Sequence, residues 1–153
     1  MAALKRILLV EDDARDLELT IAALADQNLV TETVAVHDGA EALDYLYARG
    51  LHARREPGLP AVVLLDIKMP RLTGIEVLRA MRADPALRAI PVVMLTSSRE
   101  EADLKDSYAL GVNAYVVKPV TLAEYLDTVR HLAYFWGVIN EVPVIPGVGV
   151  PRR

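Results

Sequence analysis

The sequence predicts an α/β fold in which a parallel β-sheet is covered by helices on both faces. The first observation is that short apolar runs recur along the chain, and those at residues 7–10 and 62–65 are uninterrupted. Such runs are typical of strands buried on both faces, as in the middle of a parallel sheet. The second observation is that these runs alternate with stretches whose apolar residues recur at helical spacing. Strands that alternate with helices form βαβ units.

The first two strand–helix units are predicted from residues 5–50. Residues 5–10 form a strand, and residues 31–36, which alternate between polar and apolar side chains, form an outer strand. Asp38 with Glu41 resembles an N-cap with a capping box, and the helix that it starts ends near Gly50. The side chains expected to face the core are Leu17, Ile21 and Leu24 in the first helix and Leu43, Leu46 and Tyr47 in the second.

Three further units follow an exposed loop at residues 51–60. Their strands are predicted at residues 62–65, 90–95 and 114–117. Ser98 with Glu101 and Thr121 with Glu124 match capping boxes, and Gly111 closes the helix between them. The side chains expected to face the core are Ile75, Leu78 and Met81 in the third helix and Tyr125, Leu126, Val129, Leu132 and Ala133 in the last, which ends near Trp136.

Right-handed connections between five such units give a doubly wound (βα)5 sheet, for which we predict the flavodoxin-like strand order 2-1-3-4-5. In this order the first and third strands are neighbours. Ligands of open α/β sheets bind in the crevice at the carboxyl ends of such strands.

Polar side chains stand where four of the predicted strands end. Glu11 and Asp12 follow the first strand, Asp66 the third, Thr96 the fourth and Lys118 the fifth. Each alone has an ordinary explanation as a helix cap, a turn residue or a solvated charge, and Asp13 is best explained as the N-cap of the first helix. Together they place carboxylates, a hydroxyl and an ammonium at one edge of the sheet.

This combination of side chains indicates phosphoryl-transfer chemistry. Carboxylates without histidine or cysteine ligands select Mg²⁺, with Mn²⁺ as an alternative. A hydroxyl and an ammonium beside such a cation can bind phosphoryl oxygens. A carboxylate can then act as the nucleophile, and Asp66 on the central strand is the best candidate.

Composition excludes several other classes of protein. The chain of 153 residues contains no cysteine, which rules out disulfides and thiolate metal sites, and its net charge of −4 argues against a nucleic-acid partner. It has neither an apolar run of membrane-spanning length nor a signal peptide. We therefore expect one cytoplasmic domain without a membrane partner.

The chain resembles the response-regulator receiver domains of two-component signalling. The resemblance rests on Glu11-Asp12, Asp66 with Pro70 and Gly74, Thr96, and Lys118-Pro119, and covers about residues 5–136. It implies that Asp66 accepts a phosphoryl group from a sensor histidine kinase, and that the protein catalyses only its own phosphorylation and dephosphorylation.

The resemblance also implies individual roles for the other site residues. Asp12, and Glu11 through water, would bind Mg²⁺ with Asp66 and the backbone carbonyl of Lys68. Thr96 would bond to the phosphoryl oxygens and act as a switch together with Tyr115. Lys118 would pair with the phosphoryl group, and its bond to Pro119 would be cis.

The end of the chain resembles the small receivers that partner bacterial or cyanobacterial phytochromes. Residues 137–153 form an apolar, proline-containing tail that is too short for an output domain. The similarity implies a homodimer through the fourth helix, the fifth strand, the last helix and the tail. The residues assigned to this dimer or partner contact are Tyr125, Phe135, Trp136, Val142 and Ile145.

Three other functions are compatible with parts of the pattern. A phosphatase of the haloacid-dehalogenase kind would carry a second aspartate two residues after the nucleophile, where Lys68 stands here. A phosphate sink would have the same site but no downstream partner. A purely structural receiver would not need the intact set of Asp12, Asp66 and Lys118.

Overall fold

The protein forms one five-stranded parallel sheet with the strand order 2-1-3-4-5, as predicted. The structure is a computed structural model, and it describes residues 5–25 and 31–143. None of the helices within these residues is long and apolar enough to cross a membrane.

Helices and strands alternate along the whole described chain. Their bounds are β1 Lys5–Val10, α1 Ala14–Ala25, β2 Thr31–Val36, α2 Gly39–Leu46, a 3-10 turn at Gly50–His52, β3 Val62–Leu65, α3 Gly74–Ala83, β4 Val92–Thr96, α4 Glu101–Ala109, β5 Ala114–Val117, α5 Leu122–Tyr134 and a π-helical turn at Phe135–Ile139.

The sheet separates two apolar clusters because successive side chains of a strand point to opposite faces. On one face, Leu8 and Leu65 pack with side chains of α2 and α3. On the other, Ile7 and Leu64 pack with side chains of α1 and α5. β1, β3 and β4 carry apolar residues to both clusters, which explains their uninterrupted apolar runs.

Two predicted helix faces are wrong at single positions. In α1, Ile21 is 38% exposed and Thr20 is buried in its place. Tyr47, the residue directly after α2, is exposed, whereas Tyr45 within the helix is buried. The prediction rested on the helical spacing of apolar side chains. Thr20 is accommodated in the core because its hydroxyl hydrogen-bonds with the Tyr125 hydroxyl at 2.5 Å.

The helix starts differ from the predicted capping boxes. Asp38 caps α2, but Glu41 accepts from the backbone N–H of His37 instead of that of Asp38. The Ser98 box is wrong, because α4 begins after Glu100 without a side-chain cap. Thr121 caps α5 by accepting from the backbone N–H of Glu124, which is one half of the predicted capping box.

A complete capping box that the sequence analysis missed starts α3. The side chain of Thr73 accepts from the backbone N–H of Glu76, and the Glu76 carboxylate accepts from that of Thr73. Its signal was the Thr-x-x-Glu spacing immediately before the apolar residues of the helix.

The loop after α2 is fixed by two arginines. Arg6 of β1 donates to the carbonyl oxygens of Glu56, Pro57 and Gly58. Arg55 donates to the carbonyl oxygens of Tyr45 and Gly58. Its Cζ atom also lies over the Tyr45 ring, 4.7 Å from the ring centroid. The predicted exposed loop is thus tied to β1 and α2 by hydrogen bonds.

Candidate functional site

Three carboxylates converge at the carboxyl edge of the sheet. One oxygen each of Glu11, Asp12 and Asp66 lies within 4.8 Å of the others. Glu11 and Asp66 are buried, and Asp12 is exposed to solvent. Oxygen-only ligands around one point suit Mg²⁺ or Mn²⁺, and an open side leaves room for waters or phosphoryl oxygens. The residues present therefore fit a hard divalent cation.

Strand register brings these carboxylates together. Val10 of β1 is paired with Leu65 of β3, so Glu11 and Asp66 follow at the same level of the sheet. The backbone N–H of Asp66 donates to the carbonyl oxygen of Val10 at 3.1 Å and continues the ladder by one residue. The pairing of β1 with β3 therefore places the carboxylates of Glu11 and Asp66 side by side.

The backbone around Asp66 is packed against the start of α3. The Oδ1 atom of Asp66 accepts from the backbone N–H of Ile67 at 2.7 Å. A Cβ atom on Gly74 would lie 2.1 Å from the Asp66 carbonyl oxygen, so only glycine allows this approach. Steric exclusion of a Cβ atom therefore explains why a glycine stands eight residues after the candidate nucleophile.

Lys118 places its ammonium among three carboxylates. Its Nζ atom forms a short hydrogen bond with Glu11 and lies 2.9 Å from Asp16 Oδ2 and 3.3 Å from Asp66 Oδ2. The side chain is only 8% exposed, so these contacts are made largely out of water. The predicted proximity of Lys118 and Asp66 is observed.

Asp16 is a site residue that the sequence analysis missed. It belongs to the first turn of α1 and not to a strand end. The available signal was an acidic residue in the first turn of the predicted helix. That signal is weak, because acidic residues are common in first turns for dipole reasons alone.

Burial and neighbouring charges together raise the pKa values of two residues of the site. Burial, opposed by the hydrogen bond from Lys118, raises the pKa of Glu11 to about 8. Burial alone would lower the pKa of Lys118, but the hydrogen bond to Glu11 and the charge of Asp66 raise it above its ordinary value. Lys118 thus remains charged, whereas Glu11 can hold or release a proton near neutral pH.

Thr96 and Tyr115, the two predicted switch residues, are linked through Ser98. Thr96 is fully buried at the end of β4, and its Oγ1 atom accepts from the backbone N–H of Ser98 at 3.2 Å. The Tyr115 hydroxyl donates to the carbonyl oxygen of Ser98 at 2.9 Å. Both side chains therefore contact the same residue of the β4–α4 loop.

Lys68 connects the loop after Asp66 to the start of α4. Its Nζ atom lies 3.3 Å from Glu100 Oε1 and 3.7 Å from Asp103 Oδ2. Asp103 also accepts from the Ser98 hydroxyl at 2.6 Å. The predicted use of the Lys68 carbonyl as a metal ligand stays a prediction.

The bond between Lys118 and Pro119 differs from the expectation. No cis peptide bond occurs in residues 5–25 and 31–143, so this bond is trans.

The residues predicted to form a dimer or partner contact do not share one environment. Tyr125 is 6% exposed and lies between α1 and α5 with its hydroxyl on Thr20, so its buried ring does not suit a partner contact. Phe135 is 45% exposed and packs edge-on against Trp136, with the ring centroids 4.9 Å apart. Val142 is half-buried, and Ile145 lies outside the described residues.

Known proteins with this architecture share much of its sequence. Rcp1 of Synechocystis sp. is 36% identical over 86% of this chain and 88% of its own. The structure of the Mn²⁺-bound form of Rcp1 covers 92% of this chain and 99% of its own with a TM-score of 0.85.

Two further solved structures concern phytochrome response regulators. Phosphorylated RcpA, a cyanobacterial phytochrome response regulator, is 39% identical, with a TM-score of 0.86 over 93% of this chain and 100% of its own. The bacteriophytochrome response regulator RtBRR is 56% identical, with a TM-score of 0.73 over 94% of this chain and 86% of its own. Finally, the family model of the response regulator receiver domain matches residues 7–130. The chain is therefore a member of the response regulator receiver domain family.

Proposed function

We propose that the protein is a response regulator that accepts a phosphoryl group on Asp66 from a sensor histidine kinase in a Mg²⁺-dependent reaction. The observation that carries this proposal is the position of Asp66, which adjoins two other carboxylates and lies 3.3 Å from the Lys118 ammonium. A buried nucleophile beside a cation site and an ammonium has the parts needed for phosphoryl transfer.

The chemical step needs little more than positioning. An oxygen of Asp66 attacks the phosphorus of a phosphohistidine, a P–O bond forms as the P–N bond breaks, and the imidazole leaves with the electron pair and takes up a proton. Lys118 and the Thr96 hydroxyl bind the phosphoryl oxygens. Glu11, Asp12 and Asp66, with the Lys68 carbonyl, would hold the Mg²⁺, which when bound neutralises charge on the transferred group.

The output of this reaction is proposed to be a change in protein contacts. Thr96 moving toward a phosphoryl group would pull on Ser98, whose carbonyl oxygen holds the Tyr115 hydroxyl. The same loop starts α4, of which only Ser107 is buried. A weakly anchored helix next to the switch residues supports a surface that responds to phosphorylation.

We further infer that the pathway is of the phytochrome type and that the protein acts in the cytoplasm as a homodimer. The pathway is supported by the similarity to RcpA and RtBRR. The dimer is supported by exposed apolar side chains on the described end of the chain. We define four of these, Tyr134, Phe135, Val138 and Ile139, as the α5 strip.

The test is intact mass spectrometry after incubation with acetyl phosphate, with and without Mg²⁺. We expect the wild type to gain one phosphoryl group only when Mg²⁺ is present, and Asp66→Asn to gain none. Asp13→Asn is the matched control, because Asp13 caps α1 with its Oδ1 atom and asparagine caps as well. This control should be phosphorylated like the wild type. Absence of a mass gain in a folded wild type would contradict the proposal.

A further inference from the structure

Lys118 has one partner that stands apart from the other two. Glu11 and Asp66 belong to the group of carboxylates that could hold a cation, whereas Asp16 does not. The ammonium thus bridges the candidate metal site on one side and α1 on the other. Its contact with Asp16 Oδ2, at 2.9 Å, is shorter than its contact with Asp66 Oδ2, at 3.3 Å.

The backbone of Asp16 is held in place by its neighbours. Its N–H donates to the Oδ1 atom of Asp13 at 2.9 Å. Its carbonyl oxygen accepts from the Thr20 hydroxyl at 2.8 Å, and that hydroxyl contacts Tyr125 of α5. These bonds fix the first turn of α1 relative to α5, so the Asp16 carboxylate approaches Lys118 from a fixed direction.

Asp16 and Lys118 also share a groove that opens beside the site. The groove has a volume of about 490 Å³ and runs between α1 and the loop that follows β5. The Asp16 side chain is 35% exposed there, whereas that of Lys118 is 8% exposed. Asp16 is therefore the most solvated of the three partners of the ammonium, and keeping its charge costs less desolvation than at the other two.

Lys118 and a divalent cation compete for the same oxygens. An ammonium that donates to Glu11 and Asp66 occupies lone pairs that a cation would use, and its positive charge repels the cation. Asp16, which lies outside the group of carboxylates that could hold the cation, accepts one of the ammonium's hydrogen bonds. The oxygens of Glu11 and Asp66 are then less occupied by Lys118.

We propose that Asp16 is a positioning residue that holds the Lys118 ammonium toward α1 and thereby keeps Glu11 and Asp66 available to a divalent cation. This role rests on the proposed function, because it concerns the same metal site. Asp16 touches neither the cation nor the phosphoryl group, and it acts through Lys118.

The test is the affinity for Mn²⁺, followed by the electron paramagnetic resonance signal of the free ion. Asp16→Asn should weaken Mn²⁺ binding roughly tenfold, which is the low end of the effect of losing a residue that supports a metal site from outside its ligands. Glu18→Gln is the matched control, since it removes the same charge from an exposed position of the same helix. This control should change the affinity less than about twofold, in line with screening of exposed charges.

A double-mutant cycle tests whether Asp16 acts through Lys118. Lys118→Gln should tighten Mn²⁺ binding because it removes the competing ammonium. In the Lys118→Gln background, Asp16→Asn should cost no more than Glu18→Gln does. Asp16→Glu, which retains the charge, should recover most of the affinity in the wild-type background. If Asp16 had a purely structural role, Asp16→Asn would lower the melting temperature, and its effect on Mn²⁺ affinity would not disappear in the Lys118→Gln background.

The proposal is overturned if Asp16→Asn binds Mn²⁺ as tightly as the wild type, or if Glu18→Gln weakens binding equally. It is also overturned if the loss persists in full in the Lys118→Gln background. Failure of the wild type to bind Mn²⁺ at all would instead contradict the proposed metal site, so the two failures are distinguishable.

Discussion

Glu11 is a buried carboxylate in the group that could hold a divalent cation, and its protonation links the fold to that candidate site. Its pKa is raised by burial to about 8 from an ordinary value near 4.5. The folded protein therefore binds this proton over a pH range in which the unfolded chain has lost it. A cation that needs the carboxylate form must displace the proton, so metal binding at this site is coupled to pH.

The first prediction concerns the pH dependence of stability in the presence of a chelator. Because the folded state binds more protons at Glu11, the free energy of unfolding should fall as pH rises from about 5 to 8. This loss of stability is absent at a pH below the pKa of Glu11 in the unfolded chain. It is complete at a pH above the pKa of Glu11 in the folded protein. Melting temperatures measured across this range should decline more steeply for the wild type than for Glu11→Gln.

Comparing the wild type with Glu11→Gln isolates the contribution of Glu11 from that of the other titrating groups. The chain's 3 histidines are present in both proteins and cancel in the difference between the two curves. Addition of Mg²⁺ should stabilise the wild type more at pH 8 than at pH 6, because Glu11 deprotonates on binding. Parallel melting curves for the two proteins in chelator would contradict the assignment of the shift to Glu11.

Among the elements, α3 begins in close contact with the site. Gly74, its first residue, lies so close to the strand end that a Cβ atom would meet the carbonyl oxygen of Asp66 at 2.1 Å and the Cα atom of Ile67 at 2.9 Å. Both obstacles are backbone atoms, so no side-chain rotation can relieve the overlap.

The second prediction is that Gly74→Ala both destabilises the protein and weakens cation binding. Overpacking at such a point should lower the free energy of unfolding by about 1–3 kcal/mol. The loop that carries Asp66 must also shift, so Mn²⁺ affinity and phosphorylation by acetyl phosphate should fall. Chemical denaturation and Mn²⁺ titration measure the two effects.

A control in the same helix separates the two effects. Ala83→Gly changes the exposed last residue of α3 and should cost less than the about 0.5–1 kcal/mol expected for glycine in the middle of a helix. It should leave Mn²⁺ affinity unchanged. If Gly74→Ala behaved like Ala83→Gly in both measurements, the close approach to Asp66 would have no functional consequence.

The strand ends were predictable from the sequence, whereas several helix contacts were not. Asp66 and Lys118 follow apolar runs, and parallel strands place their carboxyl ends at one edge whatever the details of packing. Asp16 depends on the rotation of α1 about its axis, and its own spacing does not reveal that rotation. The same uncertainty placed Ile21 in the core instead of Thr20.

Polar side chains that bond across elements were the other source of error. Ser98 has the spacing of a helix cap, but its hydroxyl bonds to Asp103. Tyr125 has the spacing of a core residue and was also assigned to a partner contact, yet its hydroxyl is bound to Thr20. Such bonds join residues far apart in the chain, so local sequence patterns do not report them.

At the scale of the whole molecule, the α5 strip is an apolar surface on the described part of the chain. Its four side chains are between 42% and 53% exposed. They lie at the end of α5 and in the π-helical turn, which is joined to β1 by a hydrogen bond from Lys5 to the carbonyl oxygen of Asn140 at 2.9 Å. This surface is thus held against the sheet and is available for a contact between copies.

The third prediction is that the α5 strip supports the proposed dimer. Phe135→Ser combined with Ile139→Ser should shift the mass in solution toward the monomer mass of 16.8 kDa. The melting temperature extrapolated to low protein concentration should change little, because both side chains are half-exposed. Light scattering over a concentration series measures the association.

A substitution on the opposite face provides the control. Leu51 is 93% exposed and follows α2, which packs on the other side of the sheet. Leu51→Ser also removes apolar surface and should leave the association unchanged. A wild type that stays monomeric at all concentrations, or a double variant that associates as strongly as the wild type, would contradict the prediction.

The strand order also has a consequence for how the chain folds. All neighbouring strands are parallel, so none can be joined by a tight turn, and each pairing must wait for a whole crossover. Lys118 and Glu11 are separated by 107 positions, and Lys118 follows β5, which within the described part of the chain pairs only with β4. The candidate site therefore becomes complete only when this edge strand has docked, and the phosphorylation proposed for Asp66 would report that docking.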